Sequence, residues 1–182
     1  TTTYMQIDLN KLFKGGFSTG HGHLREPKDI MSYSALAAIA IQSNQNDQHG
    51  GQSIPAFDYY LAPGVLKTFK KMFKQAVYEL LDFTDFISFI ESTEVKRIFK
   101  KAYETAYKKT DRQTYQAMEA FVHNLNTMHS RAGAQVPFSS INFGTDTSPE
   151  GRMVIKNFLL SVDAGLGKNE TPIFPISIKM MQ

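Results

Sequence analysis

"AIAIQSNQNDQHGGQSIPAF", residues 38–57, passes from an apolar run to a dense polar one and back, and the reading of that join decides the fold. From Ser43 to Ser53 no large apolar side chain occurs, although the whole chain is 42% hydrophobic. The polar run is either a solvated loop or a surface built to meet a polar ligand. Immediately upstream, DIMSYSALAAIAIQ sets Ile30, Tyr33, Leu36, Ala37, Ala40 and Ile41 at helical spacing, with Pro27 suited to a first turn. The polar run is therefore expected to end this helix, and GGQSIPAF to open the next element.

Further out, TYMQIDL is β-rich and alternates loosely, which predicts a strand over about 2–9, followed by the glycine-rich connection KGGFSTGHGHLREP. From Pro63, an amphipathic helix carries the apolar stripe Val65, Leu66, Phe69, Met72, Phe73, Ala76, Val77 and Leu80, with lysines 67, 70, 71 and 74 opposite. Two more helices are expected over 92–108 and 111–129, with Thr110 or Asp111 as a cap. The second of them turns Tyr115, Met118, Ala120, Phe121, Leu125 and Met128 inward. VPFSSINF reads as a short strand, Ser148 and Pro149 start a helix over about 149–164, and IFPISIKM is a terminal strand. Crossovers this long favour parallel strands, so the expected class is α/β and helix-rich.

The 182 residues suit a single segment, 1–182, with its own core. A net charge of +3, from 20 basic and 17 acidic residues, is too small an excess for a nucleic-acid coat, so no nucleic acid is expected as partner. Cysteine is absent, which excludes disulfides and thiolate chemistry within these residues. No apolar run reaches the roughly 18 residues of a membrane span and no secretory leader is visible, so no membrane is expected and a cytoplasmic location is. Both ends, TTTYMQI and PIFPISIKMM, look like cuts through a larger protein.

Asn44, Asn46, Asp47, Gln48 and His49 donate and accept in many directions, and Gly50 and Gly51 let a ligand approach backbone amides. That composition suits sugar hydroxyls and phosphates; the alternative is a glycine-terminated helix followed by a solvated loop. His21, His23 and His49 raise a metal question, but flanking glycines and the Arg25–Glu26 pair read as a flexible turn, and no metal is assigned. Ser53, His49 and Asp58 lack the strained elbow of a hydrolase. HSRAGAQVPF offers Arg131 to phosphate and small residues to a base; a plain connection with Gly133 in a left-handed cap is equally open. Lys70 and Lys71 would form a triphosphate pocket if two such helices met across a two-fold axis. GTDTSPEG reads as an acidic capping box rather than an anion site, and GLGKNETP lacks P-loop spacing.

Four blocks, IDLNKLFKGGFSTGHGHLREP, AIAIQSNQNDQHGGQSIPAFDYYLAPGV, NTMHSRAGAQVPFSSINFGTDTSPEGR and AGLGKNETPIFPI, closely resemble the anaerobic, class III ribonucleoside-triphosphate reductases. The resemblance implies a ten-stranded α/β barrel built from two parallel five-stranded halves, of which this chain would be most of the first. It implies reduction of ribonucleoside triphosphates to deoxyribonucleoside triphosphates by a glycyl radical, which a radical S-adenosylmethionine activase generates. The thiyl cysteine, the glycyl loop and a four-cysteine zinc site would lie beyond Gln182. Tyr4 stands where the family usually has a cysteine, so no catalytic residue is assigned.

By the same resemblance, Ser130, Arg131, Ala132, Gly133 and Gln135 belong to the loop between effector and substrate base. Asn44, Asn46, His49, Gly50, Gly51 and Ser53 would face substrate or support that loop. Gln42, Lys70 and Lys71 would contact a dNTP or ATP effector at a homodimer interface. Alone, the segment is expected to be inactive and to self-associate. The alternative is a non-catalytic nucleotide-binding or regulatory module.

Overall fold

The computed structural model describes residues 4–9, 17–19, 22–24, 27–47, 51–83, 92–127, 139–144, 146–165 and 175–179. In chain order these form strand β1 (Tyr4–Gln6), a hairpin of β2 (Phe17–Thr19) and β3 (Gly22–Leu24), and helix α1 (Ile30–Asp47). Strand β4 (Gly51–Ile54), helices α2 (Phe57–Phe83) and α3 (Ser92–Thr127), strand β5 (Ser139–Phe143), helix α4 (Pro149–Ala164) and strand β6 (Ile176–Lys179) follow. The main sheet has the order β1-β4-β5-β6, and every neighbouring pair is parallel. The α/β reading therefore stands, with helices dominating.

Each connection in this sheet steps one strand further in the same direction. Right-handed crossovers, the rule for such units, then place every helix on one face. The packing agrees: Ile7, Ile54 and Ile141 from the sheet share one buried cluster with residues of all four helices, among them Ile41, Leu61, Phe121 and Phe158. At its centre Phe57, the first residue of α2, lies 5.1 Å from the Phe121 ring and 5.8 Å from that of Phe158. All three rings are at most 1% exposed.

Several boundaries differ from expectation. The glycine-rich connection contains the antiparallel β2–β3 hairpin, in which Ser18 faces His23. Helix α1 starts after Asp29, whose carboxylate accepts the Ser32 amide at 2.8 Å, so Pro27 precedes the helix. It also runs through Ser43–Asp47 instead of ending at the polar run, stopping short of the paired glycines. Gly51 then opens a strand that no alternation announces.

Helix α2 starts at Phe57, which places Pro63 inside it. Pro63 is exposed, so the carbonyl it leaves unbonded is open to water. The predicted pair of helices over 92–129 is one helix: Thr110 is fully buried in mid-helix and Asp111 faces α4 rather than capping. Within the expected inward face, Met118, Phe121 and Leu125 are buried, Ala120 is exposed, and Met128 lies outside the described residues. Helix α4 begins at Pro149 after the Ser148 cap, as expected.

Helices α1 and α2 approach closely. The Ile30 amide donates to the buried Thr68 hydroxyl at 2.9 Å, so a side chain of α2 caps α1. Lys67, expected on the solvated face, instead donates to Pro27 O at 3.2 Å and Tyr33 Oη at 2.9 Å. A Cβ at Gly64 would fall 2.9 Å from the Tyr33 ring and 3.2 Å from the Ile30 Cα. Helix α4 is tied to α3 through Asp111, which pairs with Lys156 at 2.8 Å and accepts from Asn157 at 3.0 Å. Burial pushes the Asp111 carboxyl up, but the hydrogen bonds from Lys156 and Asn157 and the Lys156 charge outweigh it and hold the group below its ordinary range.

Gly64→Ala is expected to lower the unfolding free energy by about 1–2 kcal/mol in urea titration. On an open helix the same change would gain up to about 1 kcal/mol, so the sign reports the α1–α2 overlap. Asp111→Ala is expected to cost about 1 kcal/mol at neutral pH. Because the folded pKa is depressed, this contribution is present above the unfolded value near 4 and fades as pH falls through the folded one. Denaturation midpoints of both proteins at pH 7 and pH 3 check this.

Candidate functional site

Successive strand residues point to opposite faces, so the contacts of one residue assign its neighbours. In β4, Gln52 donates to Ile41 O of α1 at 2.8 Å and Ile54 joins the helix-side core. Ser53 between them therefore faces away from the helices. In β5, Ile141 and Phe143 are buried on the helix side, so Ser140 and Asn142 also face away. The register aligns Gln6 with Ser53 and Ser53 with Ser140, which makes a polar row across three parallel strands.

Ser53 is 1% exposed and Ser140 5% exposed, so this face, which carries none of the four described helices, is covered over its middle. Among the described residues, the Ser53 hydroxyl and the Asn142 Oδ1 are buried atoms without a hydrogen-bond partner. Gln52 Oε1 and the Ser139 and Thr110 hydroxyls are orphaned as well, but on the helix side and within α3; Ser53 and Asn142 are the two on this face, where a polar ligand would bring the missing partners. The row carries hydroxyls and amides and no charged group, so it suits sugar hydroxyls better than phosphate.

The two edges of the sheet differ. At the carboxyl ends, Asp58 is 1% exposed and ties the start of α2 to the loop after β5. Its Oδ2 accepts from the Gly144 and Asp146 amides at 3.0 and 3.3 Å, and its Oδ1 from the Tyr59 amide at 3.0 Å. Asp146 accepts from the Ser148 amide at 2.9 Å and hydroxyl at 2.8 Å, and the Ser148 hydroxyl accepts from the Gly151 amide at 3.2 Å. The start of α4 is thus filled by an acid, but not by a capping box: the third position after Ser148 is Gly151, and the acid is Asp146, which precedes the cap. Asp8 accepts from Tyr60; burial first, then the Asp8 charge and this hydrogen bond, raise the Tyr60 pKa. A cavity of about 340 Å³ lined by Tyr59, Tyr60, Pro63, Leu66, Asp146 and Glu150 opens here, and its carboxylates repel phosphate.

The amino ends of the strands follow, in the chain, the segments singled out in the sequence. Gly51, Ser139 and Ile176, the first residues of adjacent strands, are where the polar run, the RAGAQ segment and GLGKNETP lead in. Gln42, Asn44 and Asn46 sit on the last turns of α1, which end beside β4, and Gly51 pairs with Tyr4 of β1. His49, Gly50, Ser130, Arg131, Ala132, Gly133 and Gln135 lie outside the described residues, as does His21.

Lys70 and Lys71 are exposed on α2, but away from Gln42. The Ile30–Thr68 bond puts them by the beginning of α1, and Gln42 is twelve residues along it, roughly 18 Å away. Within one chain the structure therefore does not bring Gln42 together with this lysine pair. Ser53 and Asp58 likewise form no hydrolytic set, because Asp58 is occupied by backbone amides.

Sequence reasoning missed Gln6, Ser140 and Asn142. The signal was present in SSINF, where polar 140 and 142 alternate with apolar 141 and 143. Among the described residues no group of three His, Cys, Asp or Glu could hold a metal.

A family profile described as anaerobic ribonucleoside-triphosphate reductase matches residues 1–182. The chain is similar to the anaerobic ribonucleoside-triphosphate reductases of Enterobacteria phage T4, at 31% identity over 93% of its length, and of Escherichia coli, at 31% over 94%. It is 30% identical to the enzyme of that name from Salmonella typhimurium, again over 94%. It spans only 22–25% of the length of these relatives.

Ser53→Ala is expected to leave the unliganded protein as stable as before, or up to about 1 kcal/mol more stable, because it removes an unpaired buried hydroxyl. Thermal melts without ligand test this; a clear loss of stability would mean that the hydroxyl already has a partner.

Proposed function

The chain belongs to the anaerobic ribonucleoside-triphosphate reductase family, and on that premise we propose that it forms part of the nucleotide-binding wall of such an enzyme. In this reading the sheet is part of one half of a ten-stranded α/β barrel, with its helices outside and the Gln6–Ser53–Ser140 row inside. The observation that carries it is the one-directional strand order combined with a helix-free face holding buried, unpaired polar atoms. A doubly wound sheet would reverse direction and cover both faces with helices, whereas a barrel wall needs neither.

The whole protein would convert ribonucleoside triphosphates to deoxyribonucleoside triphosphates, under control of dNTP or ATP effectors, and would work in the cytoplasm. Its chemistry would need a glycyl radical, made by a radical S-adenosylmethionine activase, to supply a thiyl that abstracts hydrogen from the ribose. The residues present do not fit that role: there is no cysteine, and Tyr4 occupies the cysteine's usual place on β1. No hydrogen-abstraction step is assigned to them. No described helix is long and apolar enough to cross a membrane.

What this segment's own residues would do is bind and orient. The hydroxyls and amides of the helix-free face would hold the sugar, and the segments at the amino edge would meet base and phosphates, with Arg131 as the phosphate partner. An effector site joining Gln42 to Lys70 and Lys71 would need two chains, since one chain holds them roughly 18 Å apart. A homodimer with α2 near its axis would supply that arrangement.

The complete protein carrying this segment, treated anaerobically with the activase, is expected to form deoxynucleotides, and the segment alone none. Product from the segment alone would sink the reading. Calorimetric titration gives the second check: tight binding of deoxynucleotides by the isolated segment would identify a regulatory module instead, because a wall lacking its opposite side binds weakly.

A further inference from the structure

The polar row does not stop at Ser140. Two residues further along β5, Asn142 lies on the same helix-free face, and its Oδ1 is buried without a partner among the described residues, as is the Ser53 hydroxyl one strand away. The register makes Ser53 the neighbour of Ser140, so the Ser53 and Asn142 backbones are one strand spacing and two strand residues apart, about 8 Å on the diagonal. That separation is comparable to the span of a five-membered sugar ring with its hydroxyls, and each side chain has an unmet hydrogen bond, the Asn142 Oδ1 as acceptor only.

The pair also has a defined chemical sense. An amide oxygen only accepts, whereas a hydroxyl both donates and accepts. A ligand that satisfies both must donate from one group and offer a second polar group close by, which two adjacent hydroxyls do and a phosphate does not. Among the described residues, the other members of the row are uncharged: they are Gln6 and Ser140, and the β6 positions in register with Ser140 and Asn142 are Ile176 and Ile178. The described acids that lie near are engaged at the carboxyl edge, Asp8 by Tyr60 and Asp58 and Asp146 by backbone amides.

We propose that Asn142 and Ser53 are a sugar-recognition pair, Asn142 Oδ1 accepting from one ribose hydroxyl and the Ser53 hydroxyl bonding the other, so that together they discriminate ribo- from deoxyribonucleotides at the substrate position. This rests on the nucleotide-binding reading above and adds to it the residue that senses the second hydroxyl. A binding site that loses one of two ribose hydroxyls leaves a buried acceptor unpaired, which is the strongest form of polar discrimination.

The test uses the complete, unactivated reductase carrying this segment, so that binding is measured without turnover. Isothermal titration follows a ribonucleoside triphosphate substrate and, separately, a deoxynucleoside triphosphate effector. Asn142→Leu, which keeps the shape and removes the acceptor, is expected to weaken substrate binding at least tenfold and leave effector binding within twofold. Asn142→Asp, which restores an acceptor oxygen, is expected to recover substrate binding to within about threefold of the original, and Ser53→Ala to weaken it several-fold.

Unchanged substrate affinity in Asn142→Leu would overturn the pair while leaving the nucleotide-binding reading intact. A joint loss of substrate and effector binding, or no recovery in Asn142→Asp, would make Asn142 a structural residue and overturn it equally. If the unsubstituted protein bound no ribonucleotide at all, the reading beneath it would fall as well.

Discussion

The constraint on which the rest of this fold depends is the handedness of parallel-strand connections. Because β1, β4, β5 and β6 succeed one another in space without reversal, every crossover stacks its helices on the same side. One face of the sheet then acquires a deep core in which Phe57, Phe121 and Phe158 meet, and the other receives none of the described helices. A parallel sheet is normally buried on both faces. Here the second face is closed over Ser53 and Ser140 yet carries polar side chains in place of a hydrophobic seal. That combination is poor for a self-sufficient domain and suitable for the wall of a chamber.

The start of α2 links the two halves of this arrangement. Phe57 anchors the helix in the core, and the next residue, Asp58, reaches to the carboxyl edge of the sheet and gathers the amides of Gly144 and Asp146. A buried carboxylate is costly unless hydrogen bonds replace its water, and three backbone amides do so here. The carboxyl edge is thereby stapled by acids that serve structure. The more common location for ligands in α/β sheets is that edge, but its Asp8–Tyr60 pair, Asp58 and Asp146 make it unfavourable for a triphosphate. The amino edge, where three segments enter β4, β5 and β6 side by side, has no such block of carboxylates among its described residues.

Legibility in the sequence followed the physics of each element. Helix α4 was readable because Ser148 and Pro149 are local signals whose effect is exerted on the next few amides. Helix α3 was misread as two because Thr110 and Asp111 look like a cap, whereas in the fold the threonine is buried and the aspartate bonds Lys156 and Asn157 across 45 residues and more of chain. No local pattern carries that information. Strand β4 was silent for a related reason: both of its faces are buried and Gln52 spends its polarity on α1, so GQSI shows no alternation. The beginning of α2 was hidden by Pro63, which ordinarily starts a helix and here is tolerated inside one at an exposed position. The polar run was read as a helix stop, although amides in a helix's final turns cost little and the glycines are the stronger signal. For the candidate site, composition pointed to the amino-edge segments but not to Asn142, whose significance appears only when the register sets it beside Ser53.

Helix α1 also links two separate parts of the structure. Lys70 and Lys71 project from α2 near the beginning of α1, and the polar residues of α1's end adjoin β4. Helix α1 thus spans the distance from a lysine-bearing surface to the strand that holds Ser53. It is held at its start by the Thr68 hydroxyl, which accepts from the Ile30 amide, and six residues before its end by the Gln52 amide, which donates to the Ile41 carbonyl. The close packing at Gly64 seats the beginning of α1, at Ile30 and Tyr33, tightly against α2. Gln52 is the immediate neighbour of Ser53, and a shift of one must turn the other. A single helix, capped at its start and bonded to β4 near its end, thus joins the lysine-bearing part of α2 to the strand that holds Ser53.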